Sequence, residues 1–490
     1  MPADAVLLAG ARLPGADGLV AVRLRGGVVD RVEPDVVARG ASAAGERVER
    51  VELDGRWIVP GLWDEHVHFS QWAVSRRRVD VGRAASAAEA AATIRTAIDA
   101  GLVDDLVVAR DFRDGLWPDR PSAAALDAVV PERAVVVVSS DLHALWLNSR
   151  ALTAFGLPDH PTGVLREGEA FALHPRITAV PERRLDAWVA DAARAAAARG
   201  VVGIHDLEMH GNLEGWSRRM AAGFDVLRVD SGVYPDALDR ALDAGLRTGL
   251  ELSPLHRVGH CKVITDGSLG TRTAFCADPY PDTEDRGVLA VPPEALRALL
   301  ERAIAGGFVP AVHAIGDEAN RHAIDVLVAL GAGGRIEHAQ LLHLDDVPRL
   351  AAAGITASIQ PEHAMDDRDL AERYWPGREH RAYLVRSLVD AGVTVRFGSD
   401  APVTPLDPWF AISAAVTRAR EGRDPWFPAE AITGAEAIDA STRACLAPGQ
   451  PADLAVLELD PTDPANADRL RSMPVAATFL AGRATHRAFG

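Results

Sequence analysis

Lysine is all but missing from this chain. Of 52 basic residues one is lysine, which leaves 51 arginines (52 − 1), although lysine is ordinarily among the commonest residues. The one lysine, Lys262, lies in Arg257-Val-Gly-His-Cys-Lys-Val-Ile-Thr-Asp-Gly-Ser-Leu-Gly-Thr-Arg272. A guanidinium stays charged wherever it is placed, whereas burial can deprotonate a lysine amine for covalent chemistry. One such reaction is carboxylation by CO2, which makes a carbamate able to bridge two metal ions. The bland alternative is drift toward arginine with one chance survivor, and the neighbours of Lys262 weigh against it.

Other shortages exclude whole classes of function. The three cysteines, Cys261, Cys276 and Cys445, are odd in number and far apart. They exclude a disulfide framework and a zinc ribbon and point to a reduced compartment. Positive charge is also short. A formal net charge of −17 argues against nucleic acid or an anionic membrane surface as partner. No apolar run is long enough to span a bilayer, and the first residues lack the basic start of a signal peptide. The expectation is a cytoplasmic protein whose partners are a small-molecule substrate and a second copy in a homodimer. No G-x-G-x-x-G turn follows an early strand, which weakens a dinucleotide-binding reading.

What is present is a long alternation. Val135–Val138, Val201–His205, Val258–Thr265, Phe308–His313, Arg335–His338, Ile355–Ile359 and Val393–Asp400 read as strands. Helical patterns such as Pro293–Arg302 and Asp346–Ala353 lie between them. Strand and helix alternating in this way predict parallel βα units, a (β/α)8 TIM-like barrel or an open doubly wound sheet. Both ends of the chain instead carry short strands and tight turns, which predicts one small β-sandwich domain built from residues 1–58 plus 446–490. The barrel would then occupy 59–445, with part of about 70–160 as an insertion after its first strand, because strand candidates before Lys262 outnumber what a barrel needs.

His66 and His68 stand two apart on a strand-like run, so both imidazoles face one side. With 16 histidines in 490 residues chance supplies about 0.5 such pairs, so the motif alone is weak. The positions of the other candidates add the weight. His313 and His338 end strands, Asp400 follows Val393–Ser399, and Lys262 leads into the loop Asp266-Gly-Ser-Leu-Gly. All fall at or near C-terminal strand ends, where barrel enzymes build their sites. Imidazoles and carboxylates together suit zinc or a similar divalent ion.

With these motifs the chain resembles the amidohydrolase superfamily, and within it the YtcJ-like branch that includes N-substituted formamide deformylases. Pro60-Gly-Leu-Trp-Asp-Glu-His-Val-His resembles the family's first-strand signature. Ser140-Asp-Leu-His-Ala-Leu-Trp-Leu-Asn-Ser-Arg-Ala-Leu, Gly163-Val-Leu-Arg-Glu167, Lys262–Ala274, His313-Ala-Ile-Gly-Asp, Arg335-Ile-Glu-His-Ala-Gln and Phe397-Gly-Ser-Asp-Ala-Pro-Val resemble blocks of that branch. The resemblance implies that His66 and His68 hold the more buried metal and that Lys262, as N6-carboxylysine, bridges to a second metal held by His313 and His338. Asp400 would bind metal and act as general base toward a water whose pKa the ion brings to roughly 7. One metal beside an unmodified Lys262 is the simpler variant of the same site. The segment Ser441–Asp453 looks shorter than usual for the family, which bears on the edge of the site.

Around these ligands, His143 and Trp146 resemble the branch's substrate-side loop, and His143 could also polarise a scissile carbonyl. Asp266, Arg272 and His363 are further candidates for substrate contact. Trp63, Trp72, Trp117, Trp375 and Trp409 read as core or rim; His260, His205, His210, His322 and His343 read as structural. The expected reaction is metal-dependent hydrolysis of a carbon–nitrogen bond in a non-peptide amide. A deaminase, a lactone or phosphoester hydrolase, and a non-catalytic binding protein are the rivals. Deaminases on this scaffold often carry a glutamate three residues after the third histidine; here that position is Gly316, and Lys262 would have no task.

Overall fold

The computed structural model describes residues 4–38, 47–101, 106–112, 114, 117–139, 144–166, 168–178 and 180–489. It has two compact units, one formed by Met1–Phe69 with Ala193–Gly490 and the other by Ser70–Ala192.

The first unit contains eight parallel strands in chain order: β1 (Leu62–Val67), β2 (Val201–Asp206), β3 (Arg228–Val233), β4 (His256–Ile264), β5 (Pro310–Ala314), β6 (Gly334–His338), β7 (Ile355–Ile359) and β8 (Val395–Phe397). Each pairs in parallel with the next. The two ends of the sheet meet just beyond β8. Asp400 donates its backbone N–H to His66 O at 2.7 Å, and His68 donates to Ala401 O at 2.9 Å. The expected TIM-like barrel is therefore the observed fold. Strands covered on both faces can be apolar throughout, and β1 and β2 are buried at every position. The outer helices bury one stripe each. In Pro293–Ala305 the buried side chains are Leu296, Leu300 and Ala303, the spacing of one helical face.

Strand β3 is not among the strands that the sequence pattern predicts. Its run Arg-Val-Asp-Ser-Gly-Val carries polar side chains buried on both of its faces. Asp230 is held by Arg257 at 3.0 Å, and the Ser231 hydroxyl meets His256 Nε2 at 2.9 Å. Conversely, Val135–Val138 is not a barrel strand. It lies in Ala134–Ser139, at the centre of a five-stranded sheet of the second unit.

Both termini build sheets of four strands. Ala5–Ala11, Val20–Arg25, Val28–Pro34 and Val48–Glu52 form one; Trp57–Pro60 joins Leu454–Leu457, Val475–Leu480 and Arg483–Arg487 in the other. Leu8, Leu24, Val51, Ile58, Leu454 and Phe479 share one core, so the N- and C-terminal strands bury each other's apolar faces. The first segment extends two residues past 58, since Pro60 still pairs with Leu454.

The second unit runs to Ala192, well past the expected end near 160. The reason is a two-sided sheet. Val135 and Val137 pack with Phe112 and Trp146, while Val136 and Val138 pack with Leu173 and Ile177 of the helix Gly168–Thr178. That helix covers the second face and cannot be separated from the sheet. No helix among the described residues is long and apolar enough to cross a membrane.

Candidate metal centre

The sequence places five of the expected ligands at strand ends, and the fold brings them to one rim. Ligand atoms of His66, His338 and Asp400 all lie within 4.8 Å of one another, and all three residues are buried. His68 Nε2 is 3.5 Å from Asp400 Oδ1, and His66 Nε2 is at the same distance from it. Lys262 Nζ stands 3.2 Å from His66 Nε2. His313 is next to His338, with ring centroids 4.5 Å apart. Its Nε2, however, points to the loop after β4, 3.3 Å from Gly267 O and 3.4 Å from Asp266 Oδ1. The tightest donor set thus crosses the expected division into two histidine pairs, taking His66 from one, His338 from the other, and Asp400.

The backbone at this rim is unusual. His338 and Asp400 have positive φ angles of 75° and 54°, a region that residues other than glycine rarely adopt and that concentrates at functional sites. Gly398 makes the approach of β8 to β1 possible. A Cβ there would lie 2.6 Å from His66 N and 2.7 Å from its Cβ.

One residue of the site went unnoticed in the sequence. Glu337 accepts a 2.7 Å hydrogen bond from His66 Nδ1, which leaves Nε2 aimed at the centre; carboxylates behind metal-binding histidines do this work. Glu337 is itself held by Arg335 at 2.6 Å, and Arg335 also reaches Glu65 at 3.0 Å. The signal was available. Arg335 and Glu337 alternate onto the same face of β6, and a buried charge inside a barrel survives only when paired.

The electrostatics follow from burial and these pairings. Burial pushes the Glu337 carboxyl up, but Arg335, His66 and Lys262 reverse this and hold it well below the carboxylate range. Asp400 behaves likewise through His66 and His68. Burial, with Lys262 adding to it, lowers His66 to about 4 and His313 to about 3. His338 falls well below the usual range by burial and by His313. Burial brings Lys262 down to about 8, opposed by Glu337 and Asp400. His68 departs from this: burial lowers it, but its hydrogen bond to Asp400 outweighs that and raises it. The site therefore offers neutral imidazoles at His66, His313 and His338, ionised carboxylates and an amine poised to lose its proton, protonation states that metal ligands need.

This donor set fits a divalent metal. His338 Nδ1 and His68 Nδ1 are buried without a hydrogen-bond partner, and such orphans call for an explanation, an ion among them.

The residues expected to contact substrate are placed unequally. His363 is close by; its ring stacks on that of His338 at 6.4 Å, and its Nε2 is buried without a partner. Asp266 is no free contact. It is buried, and its carboxylate accepts backbone N–H groups from Phe275, Ile315 and Gly316 at 3.0, 3.1 and 2.8 Å, pinning the loop after β4 to the end of β5. Arg272 is exposed and stacks over Tyr374 at 5.7 Å; Asp266 and Arg272 do not orient each other. Trp146 is fully buried in the core of the second unit and donates its indole N–H to Ser122 O at 2.8 Å. Packing spends that side chain. His143 lies outside the described residues. Trp63, Trp72, Trp375 and Trp409 are buried, so they are core and not rim. His260 is not beside the metal ligands; it pairs with His205 at 3.2 Å, lower in the barrel.

The amidohydrolase family matches this chain over residues 49–486. Protein LONG AFTER FAR-RED 3 of Arabidopsis thaliana is 29% identical over 96% of this chain and 88% of its own length. The putative amidohydrolase YtcJ of Bacillus subtilis (strain 168) is 27% identical over 89% of this chain and 90% of its own. The N-substituted formamide deformylase of Arthrobacter pascens is 26% identical over 94% of both. A structure of an uncharacterised metal-dependent hydrolase from Pyrococcus furiosus has the same fold, with a TM-score of 0.77 and 24% identity over 94% of this chain and 100% of that one. The chain belongs to the amidohydrolase family as a YtcJ-like member, and is an enzyme acting on carbon–nitrogen bonds.

Proposed function

We propose that this enzyme hydrolyses a non-peptide amide, with N-substituted formamides as the substrate class to test first. The observation that carries the reading is the convergence of His66, His338 and Asp400 within 4.8 Å at the C-terminal rim of the barrel, with Lys262 3.2 Å from His66. The similarity to the Arthrobacter deformylase supports the substrate class.

His66, His68, His313, His338 and Asp400 would hold zinc or a similar divalent ion, two per chain when Lys262 is carboxylated. Such an ion supplies Lewis acidity toward the carbonyl and acidifies a water to near neutral pH. In carboxylation the neutral Nζ of Lys262 would attack CO2: an N–C bond forms as one C=O π bond breaks and its electron pair passes to oxygen, and the nitrogen loses a proton, leaving the carbamate. Burial of Lys262 makes that neutral amine available.

Asp400 takes a proton from the attacking water as the new C–O bond forms at the acyl carbon. It then returns that proton to the leaving nitrogen as the C–N bond breaks, giving a carboxylic acid and an amine. Glu337 keeps His66 oriented throughout. His363, with its free Nε2 beside His338, is placed to donate a hydrogen bond to the substrate. The three free cysteines support a reducing compartment, and we place the enzyme in the cytoplasm.

The test is release of the amine together with its carboxylate, formate in the case of N-substituted formamides, from a panel of such formamides and other N-acyl amines by zinc-loaded protein. Turnover by the wild type with loss in Asp400→Asn is the expected result. No release from any N-acyl amine contradicts the proposal.

A further inference from the structure

Strand β1 is irregular at the point where it delivers its first ligand. Ile204 of β2 pairs with Asp64, and Asp206 pairs with Val67, so two steps along β2 answer three along β1. The extra residue makes a β-bulge at Glu65 and His66, a device that re-aims side chains beside functional sites. Neighbours on a regular strand point to opposite faces. Here Glu65 and His66 both reach partners on β6, which is not a hydrogen-bonded neighbour of β1 in the sheet.

Arg335 uses all three of its guanidinium nitrogens in these links. Nη1 donates to Glu65 Oε2 and Nη2 donates to the backbone carbonyl of Glu65, both at 3.0 Å. Nε stands 2.6 Å from Glu337 Oε1 without the alignment of a hydrogen bond, so that contact is ionic. The other oxygen of Glu337 accepts from His66 Nδ1 at 2.7 Å. Arg335, Glu65, Glu337 and His66 are all buried. Stability alone does not call for this arrangement, because apolar residues of similar volume often serve a core as well as a buried ion pair. What it supplies is geometry. One guanidinium holds the bulge of β1 by side chain and by backbone, and it holds the carboxylate that orients His66. Glu337 immediately precedes His338, so the same clamp ties together the strands that carry the two histidines of the tightest donor set.

We propose that Arg335 is a positioning residue for the metal centre, fixing His66 on the bulge of β1 relative to His338 on β6. This role rests on the metal binding set out under the proposed function. Lysine would keep the charge but not the fork, since one amine cannot serve Glu65 Oε2, Glu65 O and Glu337 in their separate directions.

Chelator competition for zinc on the full-length protein tests the proposal, for wild type, Arg335→Lys and the paired variant Arg335→Met with Glu65→Gln. The pair removes the guanidinium and one of its carboxylates together, so it strands no buried charge and serves if the lysine variant does not fold. Zinc affinity should fall about 10–100-fold in each folded variant. The visible spectrum of the cobalt-loaded protein, which reports ligand geometry, should shift as well. A merely structural role would lower the thermal midpoint of the metal-free protein and leave affinity and spectrum as in the wild type; that result overturns the proposal. Wild-type protein that holds no zinc overturns the metal centre itself, and this role with it. None of these readings uses turnover, so a failure of amide hydrolysis is told apart from a failure of the clamp.

Discussion

Asp400 grips His66 twice, donating its backbone N–H to the histidine's carbonyl at 2.7 Å while its carboxylate stands 3.5 Å from Nε2 of the same residue. The seam that joins β8 to β1 is therefore also the place where the proposed general base and a proposed metal ligand meet. Because the backbone bond positions Asp400 independently of its side chain, Asp400→Asn should keep the fold and lose chemistry. We expect kcat to fall by about 10²–10⁴ with little change in the thermal midpoint. A variant that melts early instead would assign Asp400 a structural role.

Gly398 is the second element of that seam. An added methyl would meet His66 at 2.6 Å, on backbone that cannot step aside. Gly398→Ala should cost about 1–3 kcal/mol of stability, read from chemical denaturation, and should reduce metal content as His66 shifts. Unchanged stability and metal content would show that the seam has slack.

Glu337 acts on the metal through His66. Glu337→Gln retains the shape but loses the charge that favours Nδ1–H donation, so metal affinity should fall about 10–100-fold. Competition with a chelator measures this directly. Equal affinity in the variant would remove Glu337 from the account.

The charged network below the site governs the response to acid. Burial pushes Glu65 up, but Arg443 and Arg335 hold its carboxyl far below the ordinary 4.5. A depressed folded-state pKa gives stability that is complete above the unfolded value and lost as pH falls below it. The thermal midpoint should therefore drop as pH goes from about 6 to about 3. Glu65→Gln should cost about 3–5 kcal/mol near neutral pH, since the buried guanidinium of Arg335 and the half-buried one of Arg443 lose a partner, and should make the acid limb shallower. A variant with the same acid limb would locate the titration elsewhere.

Much of this architecture was legible because ligands of one chemistry recur at one place in each βα unit. His66, His313, His338 and Asp400 could be aligned on strand ends without knowing any contact. What escaped was whatever depends on pairing across the barrel. Strand β3 buries Asp230 on one face and Ser231 on the other, which masks its apolar pattern until Arg257, Arg443 and His256 are seen to satisfy them. Trp146 carried a substrate-like context, yet its indole belongs to a sheet core. Asp266 has the sequence context of a substrate contact, but its carboxylate accepts three backbone N–H groups from Phe275, Ile315 and Gly316. The orientation of His313 toward Gly267 was likewise invisible, since it depends on the path of a loop.

The measurement that tests the central claim most directly is metal content per chain by elemental analysis, for wild type and for Lys262→Ala purified with excess zinc and bicarbonate. The account predicts about two ions per wild-type chain, falling to one or none in the variant. One ion in both proteins would contradict the bridging role of Lys262 and leave a mononuclear centre at His66, His338 and Asp400.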